Sequence, residues 1–148
     1  MAQGELVSTN LFQFYLEEID VESVLLSALD FMYIDKHGEP KSAVIKDRLG
    51  KVLANHNVNT FITQGFICRN EQNEIDNLNR GGSDYSASLI GAAVEASQIQ
   101  IWTDIDGMHN NDPRFVDHTF SVKEMSFDEA AELAYFGAKV LHPKTIRP

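Results

Sequence analysis

Apolar and polar positions alternate along this chain with two different periods. From Gly4-Glu5-Leu6-Val7-Ser8-Thr9 the sequence runs into Leu11, Phe12, Phe14, Tyr15 and Leu16, a broad apolar face at helical spacing that closes near Glu18. That segment is expected to be a helix packed through those residues. Val24-Leu25-Leu26 and Phe31-Met32-Tyr33-Ile34 are short runs of branched and aromatic residues, the composition of strands in a covered sheet, with a break at Ala28-Leu29-Asp30. After a loop at Gly38-Glu39-Pro40, Ile45, Leu49, Val52 and Leu53 recur at helical spacing and stop near Asn55-His56-Asn57. Residues 58–63 then read as a strand.

Residues 70–79 are polar and rich in turn formers, which predicts a projecting hairpin or loop. Residues 83–96 carry the Ala, Leu and Ile content of a helix laid closely on a sheet, and Ile99-Gln100-Ile101-Trp102 reads as a further strand with Trp102 in the core. The loop 105–113 gathers Asp106, Gly107, His109, Asn110, Asn111 and Asp112, a density of turn formers suited to a binding loop. Ser126-Phe127-Asp128-Glu129 has the spacing of a capping box for a helix through Ala134 or Tyr135, with Gly137 as its stop and His142-Pro143 as the next turn. Strands alternating with helices predict a three-layer α/β/α sandwich around a mostly parallel sheet.

Composition narrows the function. The chain has 148 residues, 43% of them hydrophobic, enough for one packed core. Twenty-two acidic against twelve basic residues give a net charge of -10, and no cluster of Lys and Arg is present to follow a phosphate backbone, which argues against nucleic acid as a partner. No uninterrupted apolar run has membrane-spanning length, nothing resembles a signal peptide, and the lone Cys68 cannot form an internal disulfide; a cytoplasmic protein away from the membrane is expected. Cys68 has no His beside it and reads as an incidental thiol. His37, His56, His118 and His142 lack metal-ligand spacing, so no metal site is expected.

The chemistry centres on Arg80-Gly81-Gly82-Ser83-Asp84, at the opening of the most helix-like segment. Glycines let backbone approach a ligand, amides at a helix start favour an anion, and Arg80 offers a planar donor fork for a carboxylate or phosphate. Ser83 can cap the helix or donate to a ligand. On these residues alone an ordinary capped turn is the simpler reading. The sheet pattern adds weight, because it sets Gln64-Gly65, the Arg80 turn and Thr103-Asp104 at one rim, the carboxyl edge where ligands of such sheets gather.

The motifs Gly4-Glu5-Leu6-Val7-Ser8-Thr9, Thr63-Gln64-Gly65-Phe66-Ile67, Arg80-Gly81-Gly82-Ser83-Asp84-Tyr85-Ser86-Ala87, Ile101-Trp102-Thr103-Asp104-Ile105-Asp106-Gly107, Asp112-Pro113-Arg114 and Phe136-Gly137-Ala138-Lys139-Val140-Leu141-His142-Pro143 together closely resemble the aspartate kinases of the amino acid kinase superfamily, in order and spacing. The resemblance implies ATP-dependent phosphorylation of the β-carboxylate of L-aspartate, with Mg²⁺ arriving on the ATP, and a homo-oligomeric full-length protein. It implies that Glu5 meets the substrate ammonium and Arg80 its α-carboxylate, with Gly81, Gly82 and Ser83 beside it. Asp84 would organise the catalytic lysines; Thr103, Asp104, His109 and Arg114 would contact the nucleotide, and Lys139 with Val140 its phosphates.

Each of these has a plainer competitor: Glu5 as a first-turn acid, Asp104 and Asp106 as turn caps, Arg114 as a solvated arm, Lys139 as a helix C-terminal cation. The shared register is what favours the functional roles. Departures are also visible. The family's Lys-Phe-Gly-Gly-Thr-Ser phosphate-binding strand and loop and its C-terminal regulatory ACT-type domains have no counterpart in residues 1–148, so the chain is expected to be a central piece of the domain with little activity alone. Asn77-Leu78-Asn79 stands where the family has Thr-Leu-Gly, and His109 where it often has Tyr.

Overall fold

The computed structural model of this protein describes residues 2–79, 81–102, 106–112, 115–136 and 146. Helix α1 covers Gln3–Glu18, strand β1 Val24–Leu26, a short 3₁₀ helix Ala28–Asp30, and helix α2 Ser42–Leu53. Strand β2 (Phe61–Thr63), strands β3 (Ile67–Arg69) and β4 (Ile75–Asn77), helix α3 (Gly82–Ala93) and helix α4 (Phe127–Phe136) follow.

β1 and β2 are parallel, with Val24 opposite Phe61 and Leu26 opposite Thr63, and α2 lies in the crossover between them. This is the βαβ connection that alternating periods foretell, and it brings the carboxyl ends of two strands side by side. The polar stretch 70–79 is part of an antiparallel hairpin in which Ile67 faces Asn77 and Arg69 faces Ile75. At its tip Asn70 holds the turn: its Oδ1 accepts the N–H groups of Gln72 and Glu74, and Asn73 takes a left-handed φ of 63°.

The core gathers Leu26, Ala28, Phe31, Met32, Ile34, Ile45, Leu49, Cys68, Leu78 and Leu89, drawn from both strand pairs, α2 and α3. Cys68 is fully buried there, and desolvation pushes its thiol up to about 12, so it is inert at neutral pH. A smaller cluster joins Ala130 and Ile146, flanked by Met108 and Met125. The capping box is formed as expected: Glu129 accepts from the Ser126 amide at 2.7 Å, and the Glu129 amide donates to Ser126 Oγ at 3.2 Å. Among the described residues no helix is long and apolar enough to cross a membrane.

Three expectations change. In α1 the buried residues are Gln13 and Leu16, while Leu11, Phe12, Phe14 and Tyr15 are exposed. The docked side is chosen by bonds elsewhere, Gln13 Nε2 donating to the Ser23 carbonyl and Gln13 Oε1 accepting from Ser23 Oγ in return. Phe31, Met32 and Ile34 are buried, but residues 31–34 form only single bridges, Tyr33 to Arg69 and Ile34 to Pro40, because among the described residues no neighbour runs alongside for a full ladder. Residues 99–102 make no ladder among the described residues, and Trp102 is 88% exposed rather than core.

Candidate functional site

The carboxyl ends of β1 and β2 set the geometry. Gln64 follows β2 directly and is 3% exposed; its Oε1 accepts the Ala28 N–H, just beyond β1, at 2.8 Å. The next residue, Gly65, donates its N–H to Glu5 Oε1 at 2.8 Å. An acid in the first turn of α1 is thereby held against the loop that leaves β2. A helix N-terminus alone accounts for Glu5's tolerance there, but not for the contact across 60 residues.

Gly65 also lies against the turn that opens α3. A methyl group on it would stand 2.9 Å from Ser83 Oγ and 3.1 Å from Ser83 Cα, so this position has room only for hydrogen. Gly82 is equally confined, since an added Cβ would reach Phe66 Cβ at 2.7 Å. Phe66 takes a left-handed φ of 48°, sparsely populated for a bulky residue. It is held by its N–H donating to Ser86 Oγ at 2.9 Å and its carbonyl accepting from the Leu78 amide at 2.8 Å. Ser86, buried, passes its own proton to the Gly82 carbonyl at 2.8 Å.

Gly81 sits at the cap position of α3 with φ 74°, and it makes no side-chain cap bond. Ser83 is therefore not the N-cap; it lies inside the first turn and is exposed. Phe66, Asn79, Gly81, Gly82, Ser83 and Asp84 line an open cavity of about 230 Å³. Asn79 stands at φ 61° before this turn, in the left-handed region that asparagine tolerates.

Of the residues singled out from sequence, Glu5, Gly81, Gly82, Ser83 and Asp84 are placed along one path through Gly65. His109 is engaged within its own loop, Nε2 at 2.6 Å from Asp106 Oδ1 and Nδ1 at 3.0 Å from Thr119 Oγ1, and it pairs with Ser121 across a single bridge. That bond to His109 holds the Asp106 carboxyl below its usual range. Arg80, Thr103, Asp104, Arg114, Lys139 and Val140 lie outside the described residues, as do the expected stop at Gly137 and the His142-Pro143 turn. Among the described residues no group of three or more His, Cys, Asp or Glu is placed to hold a metal ion.

Thr9, Phe66 and Ser86 were not singled out as site residues by sequence, and Gln64-Gly65 only as part of the rim. A glycine two residues past a strand was the available signal for Gly65. For Ser86 and Thr9 the signal is a hydroxyl on the inner side of a helix, which has no distinguishing pattern in one dimension.

Comparison with known proteins shows the family and the fold. The whole chain, residues 1–148, matches the amino acid kinase family. Lysine-sensitive aspartokinase 3 of Escherichia coli is 41% identical over 152 aligned residues, which cover 100% of this chain and 34% of that protein. The crystal structure of E. coli aspartokinase III in complex with aspartate and ADP superposes with a TM-score of 0.89 at 40% identity, over 98% of this chain and 33% of that one. Clostridium acetobutylicum aspartate kinase gives a TM-score of 0.81 at 28% identity, over 99% and 32%. The chain thus spans about a third of the length of these relatives.

Proposed function

Since this chain belongs to the amino acid kinase family, we propose that the protein carrying it is an aspartate kinase, which moves the γ-phosphoryl group of MgATP to the β-carboxylate of L-aspartate and releases ADP and 4-phospho-L-aspartate. The observation that carries this reading is the Glu5 carboxylate anchored by the Gly65 amide, with Gly65 packed on Ser83 beside the Gly81–Ser83 turn. An acid and an amide-rich turn, joined by one glycine, suit a ligand that bears both an ammonium and a carboxylate.

The chemistry asks little of a general base, because a β-carboxylate is already ionised at neutral pH. One of its oxygens attacks the γ-phosphorus as the bond to the β,γ-bridging oxygen breaks, and the electron pair leaves on ADP. The difficulty is bringing two anions together, which cations and backbone donors relieve. In this reading Glu5 pairs with the ammonium, and Arg80 with Gly81, Gly82 and Ser83 takes the α-carboxylate. Asp84 orders the cationic side chains, and Lys139 with Val140 faces the phosphates; Thr103, Asp104, His109 and Arg114 belong to the nucleotide side. Mg²⁺ enters bound to the ATP phosphates as part of the substrate.

We read residues 1–148 as one part of an amino acid kinase domain, with the phosphate-binding strand and loop in another part of that domain and the regulatory ACT-type domains elsewhere in the full-length protein. The full-length protein is taken to be a cytoplasmic homo-oligomer, and the isolated chain to turn over little or no substrate. The test is a coupled ADP-release assay on the full-length protein with L-aspartate, L-glutamate and N-acetyl-L-glutamate. Turnover with aspartate alone is expected. Turnover with another acceptor and none with aspartate would move the protein to a different member of the family, and binding of neither aspartate nor MgATP would make it a non-catalytic module.

A further inference from the structure

Two polar residues that touch no reacting group converge on Glu5. Gln64 is buried, and the Ala28 N–H needs an acceptor, which fixes the orientation of the amide: Oε1 toward Ala28 at 2.8 Å and Nε2 toward Thr9 Oγ1 at 3.1 Å. The Thr9 hydroxyl, accepting from Gln64, sends its single proton to the Glu5 carbonyl at 2.9 Å, nearer than the Leu6 carbonyl at 3.3 Å. The adjacent Gly65 amide holds the Glu5 carboxylate. Consecutive residues after β2 therefore grip Glu5 twice, at its main chain through Thr9 and at its side chain directly. Gly65 is in turn wedged against Ser83, so the distance from the acid to the Gly81–Ser83 turn is set through this loop.

We infer that Gln64 and Thr9 are positioning residues of the amino-acid subsite, holding the first turn of α1 so that Glu5 stays at a fixed separation from the turn opening α3. The inference rests on the aspartate-binding reading of Glu5 given above. A packing role alone would affect both substrates equally through the fold; a positioning role affects the amino acid alone.

Steady-state kinetics and thermal midpoints of the full-length protein separate the two. Thr9→Val keeps the shape and removes the hydroxyl, and is expected to raise the KM for L-aspartate about fivefold to tenfold, the factor that one lost internal hydrogen bond represents. The KM for ATP should stay within about twofold and the thermal midpoint should fall by no more than a few degrees, the cost of one unpaired buried amide, and Thr9→Ser should restore the aspartate KM. Gln64→Met interrupts the same route, so combining it with Thr9→Val should add little. Should Gln64→Met fail to fold, Thr9→Val and its Ser rescue decide alone. An unchanged aspartate KM in Thr9→Val, or a parallel rise in both KM values with a lowered midpoint, overturns the inference. Glu5→Gln serves as the control: if it raises the aspartate KM while Thr9→Val does not, only the positioning role falls, and if it has no effect the subsite reading falls and takes the positioning role with it.

Discussion

The region around Glu5, Gly65 and Gly82 and the region from 99 to 136 are built in opposite ways. The first is cross-linked: glycines sit at van der Waals limits, the buried Gln64 amide and Ser86 hydroxyl are paired, and ten buried residues share one core. In the second, the buried cluster is small, and Trp102, Phe115, Phe120, Phe127 and Tyr135 face water. An amino acid of fixed shape is best gripped by a rigid pocket, since every rotamer fixed in advance is one that binding need not order. The difference teaches that the half proposed to hold the amino acid is fixed by internal pairings, while both regions leave apolar surface in water, Leu11, Phe12, Phe14 and Tyr15 of α1 in the first and the aromatics of 99–136 in the second.

The sharpest way to break this contrast is to remove one aromatic from each region. Phe31→Ala in the fully buried core is expected to cost about 3–5 kcal/mol, and Phe127→Ala on the exposed side less than about 0.5 kcal/mol, both read by chemical denaturation. Equal losses would show that the second region is as well packed as the first. Next in size is Gly82→Ala, where the new methyl meets Phe66 and Leu78; a loss of about 1–3 kcal/mol is expected, together with weakened aspartate binding.

Acid tests the first region's loop at Asp35. This buried carboxylate accepts from the His37 and Glu39 amides and pairs with Lys41 at 2.6 Å, which holds it well below its ordinary 3.8. A depressed value means that its stabilisation is present above the ordinary carboxyl range and fades as pH falls below it. The partner Lys41 is raised above 10.5, so its share persists throughout that window and is lost only at higher pH. Denaturation profiles between about pH 5 and pH 2 should therefore be steeper for the parent than for Asp35→Asn; identical slopes would remove the pair from the account. The last effect expected is a modest gain. Gly50 lies in α2 with open space around it, and Gly50→Ala should stabilise by roughly 0.5–1 kcal/mol.

Elements whose apolar spacing matches a single neighbour were legible before any coordinates. Ile45 and Leu49 are buried on α2 as their spacing requires, and Ser126 and Glu129 close the box their separation predicts. The face of α1 was not, because periodicity marks the apolar side of a helix and leaves open which side finds a partner; there Gln13 and Glu5, not Phe12 and Tyr15, make the long-range contacts. Trp102 fails for the same reason, since an apolar run becomes a strand only where another chain segment offers hydrogen bonds. In the site, Glu5 and the glycine turn were named from resemblance, while Gln64, Thr9 and Ser86 gain their roles from pairings that span 20 to 55 residues or run back along one helix.

The central claim is that Glu5 recognises an ammonium next to a turn that recognises a carboxylate. Calorimetry of the full-length protein with L-aspartate and with succinate, which lacks only the amino group, tests it most directly. The unmodified protein should prefer aspartate by about tenfold or more, the worth of one charge-assisted hydrogen bond, and Glu5→Gln should abolish most of that preference. A preference for aspartate that survives Glu5→Gln undiminished would contradict the account.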